Sequence, residues 1–219
     1  VGSEMCIRDS GGPIQLYARD DRSGTWETFK TLVLDPHHQA LAGSARRFES
    51  GEQLADAVRN DRGAIGFSSL ATVHGARVLA VADGASRAML PSPEQIASED
   101  YPLSRRLYFY LPPAQHNPLA KALLEFTQSP RGQAIVTATG FIGQQVRPLS
   151  EQPQADLPPR YRHLLGEARR LSVNFRFQEG SATLDNKALR DIQRLVDYLQ
   201  QHRKLDRKVV LVGFGLSLI

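Results

Sequence analysis

The residue types and spacing in Arg19-Asp20-Asp21-Arg22-Ser23-Gly24-Thr25 suit the chemistry of holding an oxyanion. Arg19 supplies a planar, permanently charged fork that matches two oxygens of such a ligand. Ser23 and Thr25 add hydroxyl donors, and Gly24 lets a ligand come close to the backbone. Asp21 is out of place in a generic anion site, because a carboxylate only accepts hydrogen bonds and repels a fully ionised tetrahedral anion such as sulfate. Phosphate near neutral pH still carries a proton and can donate it to that carboxylate. Arginine, carboxylate and hydroxyls together therefore describe a phosphate site better than a general one. The same residues also read as a helix N-cap: Ser, Thr and Asp are ordinary capping residues, and Glu27 suits a first turn.

The elements that must position these groups flank them directly. Ile14-Gln15-Leu16-Tyr17-Ala18 alternates like a strand, and Trp26 to Leu34 spaces Trp26, Phe29 and Thr31-Leu32-Val33 along one helical face. Ser23-Gly24-Thr25 thus falls where a strand turns into a helix, and the first N–H groups of a helix are free to meet an anion.

Further stretches give the chain a family resemblance. R-x-D-x-S-G-T before an aromatic-rich helix resembles the second-lobe signature of the phosphate-binding proteins of ABC transporters (PstS-like, type II periplasmic fold). Asn60 to Phe67, with Ala64-Ile65-Gly66-Phe67, is similar to that family's "pgaIGY" strand. Tyr101-Pro102-Leu103-Ser104-Arg105-Arg106-Leu107-Tyr108 resembles its crossover between lobes, and Ser129 to Ile142 its closing helix. The motifs run in the family's order over residues 14–149. The resemblance implies an α/β fold, a mixed sheet flanked by helices, with ligand gripped between two lobes. It also implies that Arg19, Asp21, Ser23, Gly24 and Thr25 contact phosphate, with an ABC transporter permease as partner and the periplasm as location. Ser44 and Ser50, near a helix start that borders the family's cleft, are outside candidates.

Both ends look artificial. Residues 1–10 and 216–219 resemble translated sequencing-adapter read-through, and the first has no apolar core or cleavage site of a signal peptide. The expectation is that the natural protein continues in both directions, with the first-lobe ligands before residue 11. Setting residues 1–10 aside removes Arg8, Glu4 and Asp9, moves the formal charge from +4 to +5, and removes the sole cysteine, Cys6. No disulfide framework or thiolate metal site is then available. No apolar run of about 18 residues is present to span a membrane. The basic residues are scattered rather than striped, which argues against a nucleic-acid partner. No nucleophile beside a base, metal-ligand cluster or Walker-type loop is present, so binding without catalysis and without a cofactor is expected. The adjacent pair His37-His38 is a poor metal signal, because neighbouring side chains diverge.

Between these motifs, Leu34 to Gly51 reads as a polar connection, and Ser50 to Val58 as a helix. Ala64–Phe67, Val78–Val81 and Tyr108–Leu111 read as short buried strands, with Tyr108 and Tyr110 in the core. Pro91–Ser98 and Asn117–Gln128 read as helices, the second with Leu119, Ala122, Leu123 and Phe126 on its apolar stripe, and Pro130 opens another.

A substrate-binding domain over residues 11–149 is followed by a Pro-rich linker, 150–159, and a second region, 160–215. There Arg160–Arg170 reads as a helix, Leu171–Phe177 as an alternating strand, and Asn186–Gln201 as a helix whose inner face is Ala188, Ile192, Leu195, Val196 and Leu199. Lys208–Gly213 reads as a strand. This order is similar to the start of an OmpA-like peptidoglycan-associated domain, matched at Val173, Phe175, Phe177, Ser181, Ala182, Leu184, Asp185 and Gly213. The resemblance implies a partial β-α-β unit and a cell-wall tether to peptidoglycan, and an envelope scaffold is the alternative to an oxyanion receptor.

Overall fold

The computed structural model describes residues 12–73, 75–84, 86–114, 117–150, 157–178 and 181–213. The adapter-like ends lie outside these residues, as does most of the Pro-rich linker. The chain divides into two compact units, residues 1–144 and 145–219.

The first unit is built on a three-stranded sheet in the order β2-β1-β3. Strand β1 (Gln15–Arg19) is central and parallel to both β2 (Arg46–Phe48) and β3 (Ala64–Gly66). Its register sets Arg19 opposite Phe48 and Tyr17 opposite Gly66. The sheet is parallel rather than mixed, since the antiparallel pairing at Val81 and Met89 is an isolated bridge. Parallel strands need helical crossovers, and α1 (Gly24–Phe29) and α2 (Gly51–Asn60) supply them. Ala18, in the middle of β1, is fully buried, and Leu54 of α2 is 1% exposed beneath the sheet. Gly66 is needed there: a Cβ would stand 2.9 Å from both Leu54 Cδ2 and the Tyr17 carbonyl oxygen.

The helix foreseen from Trp26 to Leu34 is α-helical only to Phe29, then widens into a π-helical turn, Lys30–Leu34. Its aromatic face is as expected. Phe67, just past β3, stacks on Phe29 with centroids 4.0 Å apart and on Trp26 at 6.1 Å. Those contacts bind the start of α1 to the end of β3. Strand β2 lies inside the stretch read as a polar connection, because Arg46-Arg47-Phe48 carries no apolar alternation. It is an edge strand, and charged side chains are how edge strands resist further pairing.

After β3 come α3 (Pro93–Ala97), α4 (Pro118–Gln128) and α5 (Pro130–Ala138), each opened by a proline and a capping side chain, Ser92, Asn117 or Ser129. The corner between α4 and α5 is tightly held. Ser129 Oγ donates to the Phe126 carbonyl at 2.7 Å, and the amide of buried Gln133 donates to the Thr127 carbonyl at 2.7 Å. Gly132 is also buried here, and a Cβ on it would fall on the Phe126 carbonyl oxygen, with Thr127 Cα 2.9 Å away. The obstacle is backbone, so the two helices must part to admit it. Gly132→Ala is expected to lower stability by about 2–3 kcal/mol, read as a fall in the urea midpoint at constant slope.

Three further expectations in this unit are corrected. Val78–Val81 forms no strand beyond the bridge at Val81, and Tyr108–Leu111 forms none at all. Tyr108 and Tyr110 are 62% and 86% exposed rather than core. An apolar run becomes a strand only when another strand accepts its hydrogen bonds, and none among the described residues pairs here. The apolar stripe of α4 also exists but stands open, with Leu119 75% and Leu123 58% exposed.

In the second unit, α6 (Pro159–Glu167) and α7 (Asn186–Gln201) are helices, the latter capped by Asp185 Oδ1 accepting from the Ala188 amide at 2.7 Å. Residues 171–177 and 208–213 are not strands. Among the described residues of this unit only isolated antiparallel bridges form, Pro148 with Leu171 and Phe177 with Leu184. The inner face of α7 also differs from the expected one. Ala188 is buried, but Ile192 and Val196 are exposed, while Asp191 and Tyr198 are buried. Asp191 is tolerated because Lys187 Nζ and Arg194 Nη1 both donate to its carboxylate, at 2.5 and 2.7 Å.

Candidate functional site

The carboxyl ends of β1, β2 and β3 carry the residues of interest, the edge at which open parallel sheets place ligands. Arg19 closes β1. Two backbone carbonyls at the end of β2 hold its guanidinium: Nε donates to Phe48 O at 3.3 Å and Nη2 to Glu49 O at 2.7 Å. That leaves Nη1 directed at the start of α2, where it would lie 3.2 Å from a Cβ on Gly51. A fork with one side fixed by carbonyls has lost most of its rotamer freedom before any ligand arrives.

Gly51 is the first residue of α2, capped by Ser50, whose Oγ accepts from the amides of Glu52 and Gln53 at 3.2 and 3.3 Å. Two hydroxyls crowd the same glycine. Ser68 Oγ and Thr72 Oγ1 would stand 2.8 and 2.7 Å from its Cβ, and they share a hydrogen bond of 2.6 Å. Ser50 is thus at the same edge as Arg19. Ser44, by contrast, is in an exposed turn before β2, at the amino end of the strand.

Ser23 and Thr25 stand at the turn from β1 into α1. Ser23 is buried and is the N-cap: its Oγ accepts from the Thr25 amide at 3.2 Å. The capping reading of this turn is therefore real, and it still leaves the Ser23 hydroxyl proton to be donated elsewhere. Gly24 is the first helical residue, and a Cβ there would meet Arg105 Nη2 at 2.6 Å. Asp21 turns outward, 80% exposed, and pairs with Arg47 at 3.2 Å. Arg47 also donates to the Arg19 carbonyl at 2.7 Å and lies over the Trp26 ring, 4.2 Å from its centre. The structure thus brings Arg19, Ser23, Gly24 and Thr25 to one edge and gives Asp21 a cationic neighbour.

Reading residue types along the chain did not find Arg47, Arg105, Ser68 or Thr72, nor the two carbonyls that aim Arg19. Carbonyls have no sequence signature. Arg105 did stand in a recognisable motif, but far along the chain from the turn it reaches. Two phenols of this unit are perturbed. A hydrogen bond to Asp61, 2.8 Å long, raises the Tyr17 pKa above the ordinary range, and burial raises that of Tyr101. Among the described residues, no group of three His, Cys, Asp or Glu side chains could hold a metal, and no helix is long and apolar enough to cross a membrane.

The chain is similar to the phosphate-binding protein PstS of Pseudomonas aeruginosa strains PAO1 and UCBPP-PA14, with 30% identity over 139 residues in each case. The match takes in 59% of this chain but 41% of those relatives, so the chain spans less than half of their length. Among solved structures, it is similar to a phosphate ABC transporter phosphate-binding protein from Streptococcus pneumoniae TIGR4. There the identity is 23%, the coverage 64% of this chain and 53% of that one, and the TM-score 0.47. PstS from Borrelia burgdorferi follows, with 22% identity, coverage of 62% and 56%, and a TM-score of 0.44. At those scores the structural likeness adds nothing to the sequence match. A family model described as the PBP superfamily domain matches residues 8–131, more than half of the sequence. On that match, the chain belongs to the PBP superfamily.

Proposed function

We propose that the chain binds phosphate, or a closely related oxyanion, and does no chemistry on it. The observation that carries this reading is Arg19, a guanidinium held on one side by the Phe48 and Glu49 carbonyls and open on the other at the strand ends. The similarity to phosphate-binding proteins named PstS supports the same ligand. In this account Arg19 neutralises the anion, the Ser23 and Thr25 hydroxyls orient it, and Gly24 lets an oxygen come close to the backbone. Asp21 accepts the proton that phosphate carries and sulfate lacks. Its pairing with Arg47 at 3.2 Å leaves carboxylate lone pairs over for that proton.

That last role has its own test. Asp21→Asn is expected to erase most of the preference for phosphate over sulfate, about tenfold in the ratio of affinities, because an amide also donates and no longer repels sulfate. An unchanged ratio by competitive titration would leave Asp21 with the sole task of holding Arg47.

The wider role is inferred with it: a periplasmic solute-binding protein that hands its ligand to an ABC transporter permease. Residues 160–215, read as the start of an OmpA-like domain, would tether it to peptidoglycan at the cell wall. The α7 helix with its Asp185 cap fits that pattern, while the strands the pattern calls for on either side do not form among the described residues. One observation favours a second reading, an envelope scaffold in which the lobe no longer binds. Ser23 and the Thr25 amide already satisfy each other as a helix cap. Calorimetric titration with phosphate separates the two, since a scaffold gives no saturable heat.

A further inference from the structure

We propose that Arg105 is a second cationic ligand of this anion site, an inference that rests on the oxyanion reading above. Arg105 follows the elbow formed by Ser98 to Ser104, and its neighbour Arg106 shows what an arginine with a structural task looks like here. Arg106 forms a bidentate pair with Glu99, Nε to Oε1 at 2.7 Å and Nη2 to Oε2 at 2.8 Å, and both side chains are largely buried. Ser98 is fully buried and donates to Asp100 at 2.6 Å, and Tyr101 is buried beside it. The elbow's backbone is therefore held, and Arg105, itself an exposed residue, extends from it in one direction.

That direction is the Gly24 turn. The guanidinium lies against Gly24, with Nη2, Cζ and Nη1 at 2.6, 3.4 and 3.5 Å from where a Cβ would be. Among the described residues Arg105 has neither a carboxylate nor a carbonyl partner. A guanidinium is all donors, and the turn it lies on also presents a donor, the hydroxyl of Ser23, whose oxygen accepts from the Thr25 amide. Donors facing donors are mismatched until an acceptor sits between them. An oxyanion held by Arg19 is such an acceptor, with oxygens to spare for a second fork. A side chain at position 24 would displace the guanidinium, so glycine there keeps the two in contact. The added positive charge favours the doubly charged form of phosphate over the singly charged one, since Coulomb attraction scales with ligand charge.

The test is titration of the full chain with inorganic phosphate, at mildly acid and mildly alkaline pH, with the fold of each variant checked by circular dichroism. Arg105→Gln is expected to weaken binding about tenfold at alkaline pH, the worth of one charge-assisted hydrogen bond at a partly solvated site, and less at acid pH. Arg105→Lys is expected to restore most of that loss. Gly24→Ala, which keeps the charge and displaces it, is expected to weaken binding as well. If Arg105→Gln binds phosphate as the unaltered chain does while Arg19→Ala has lost it, Arg105 is outside the site and the oxyanion reading stands. If the unaltered chain takes up no phosphate, both readings fall together.

Discussion

Arg19→Ala is expected to cut phosphate affinity about 30- to 150-fold, the equivalent of about 2–3 kcal/mol for removing one partner of a charged hydrogen-bonded pair. The size follows from how the side chain is held. Most arginines lose rotamer entropy when they bind, but Arg19 is already fastened by Nε and Nη2 to two carbonyls of β2. Its contribution to binding is therefore little reduced by ordering costs. The fold should survive the change, because Phe48 O still accepts from the Asp20 amide at 3.0 Å and Glu49 is an exposed residue. Arg19→Lys is expected to recover only part of the loss: an ammonium cannot bond both carbonyls and an oxyanion in the same planar arrangement. The readout is calorimetric titration with phosphate, paired with a thermal melt. A variant that melts like the unaltered chain and still binds phosphate as tightly would remove Arg19 from the site.

Leu54→Ala is expected to destabilise the first unit by about 2–5 kcal/mol, the range for truncating a fully buried leucine. Leu54 is 1% exposed and fills the space beneath Gly66 and the middle of the sheet. Few other large side chains share that burial, so the cavity has little around it to collapse inward. The same substitution should weaken phosphate binding without touching the ligand. Leu54 docks α2 against the sheet, and the segment running into α2 carries Glu49, whose carbonyl aims Arg19. Urea denaturation and phosphate titration on one preparation check both effects. A midpoint unchanged from the unaltered chain would mean that the core lies elsewhere.

What the sequence made legible follows a physical division between local and non-local signals. The helices announce themselves through caps and prolines within a few residues: Ser50, Asn117, Ser129 and Asp185 all cap where their patterns suggest. Strands depend on a partner, and that is where the reading fails. Tyr108–Leu111 and Lys208–Gly213 have the composition of strands and pair with nothing among the described residues, while the charged run Arg46-Arg47-Phe48 pairs with β1. On α7 the helical period was right but the buried face was not, because Asp191 carries its own two cations inward and Ile192 is left outside.

The site divides in the same way. The cluster from Arg19 to Thr25 is contiguous, so types and spacing alone expose it. The carbonyls of Phe48 and Glu49, the Arg47 partner of Asp21, and Arg105 at Gly24 come from other elements. Only the parallel register and the elbow at Glu99 bring them in.

The most direct test of the central claim is a calorimetric titration of the chain with phosphate, followed by sulfate under the same conditions. The account predicts a saturable phosphate isotherm, clearly weaker sulfate binding, and loss of the phosphate signal in Arg19→Ala. A flat phosphate trace from a well-folded chain, or equal affinity for the two anions, would contradict it and leave the Arg19–Thr25 turn as a helix cap.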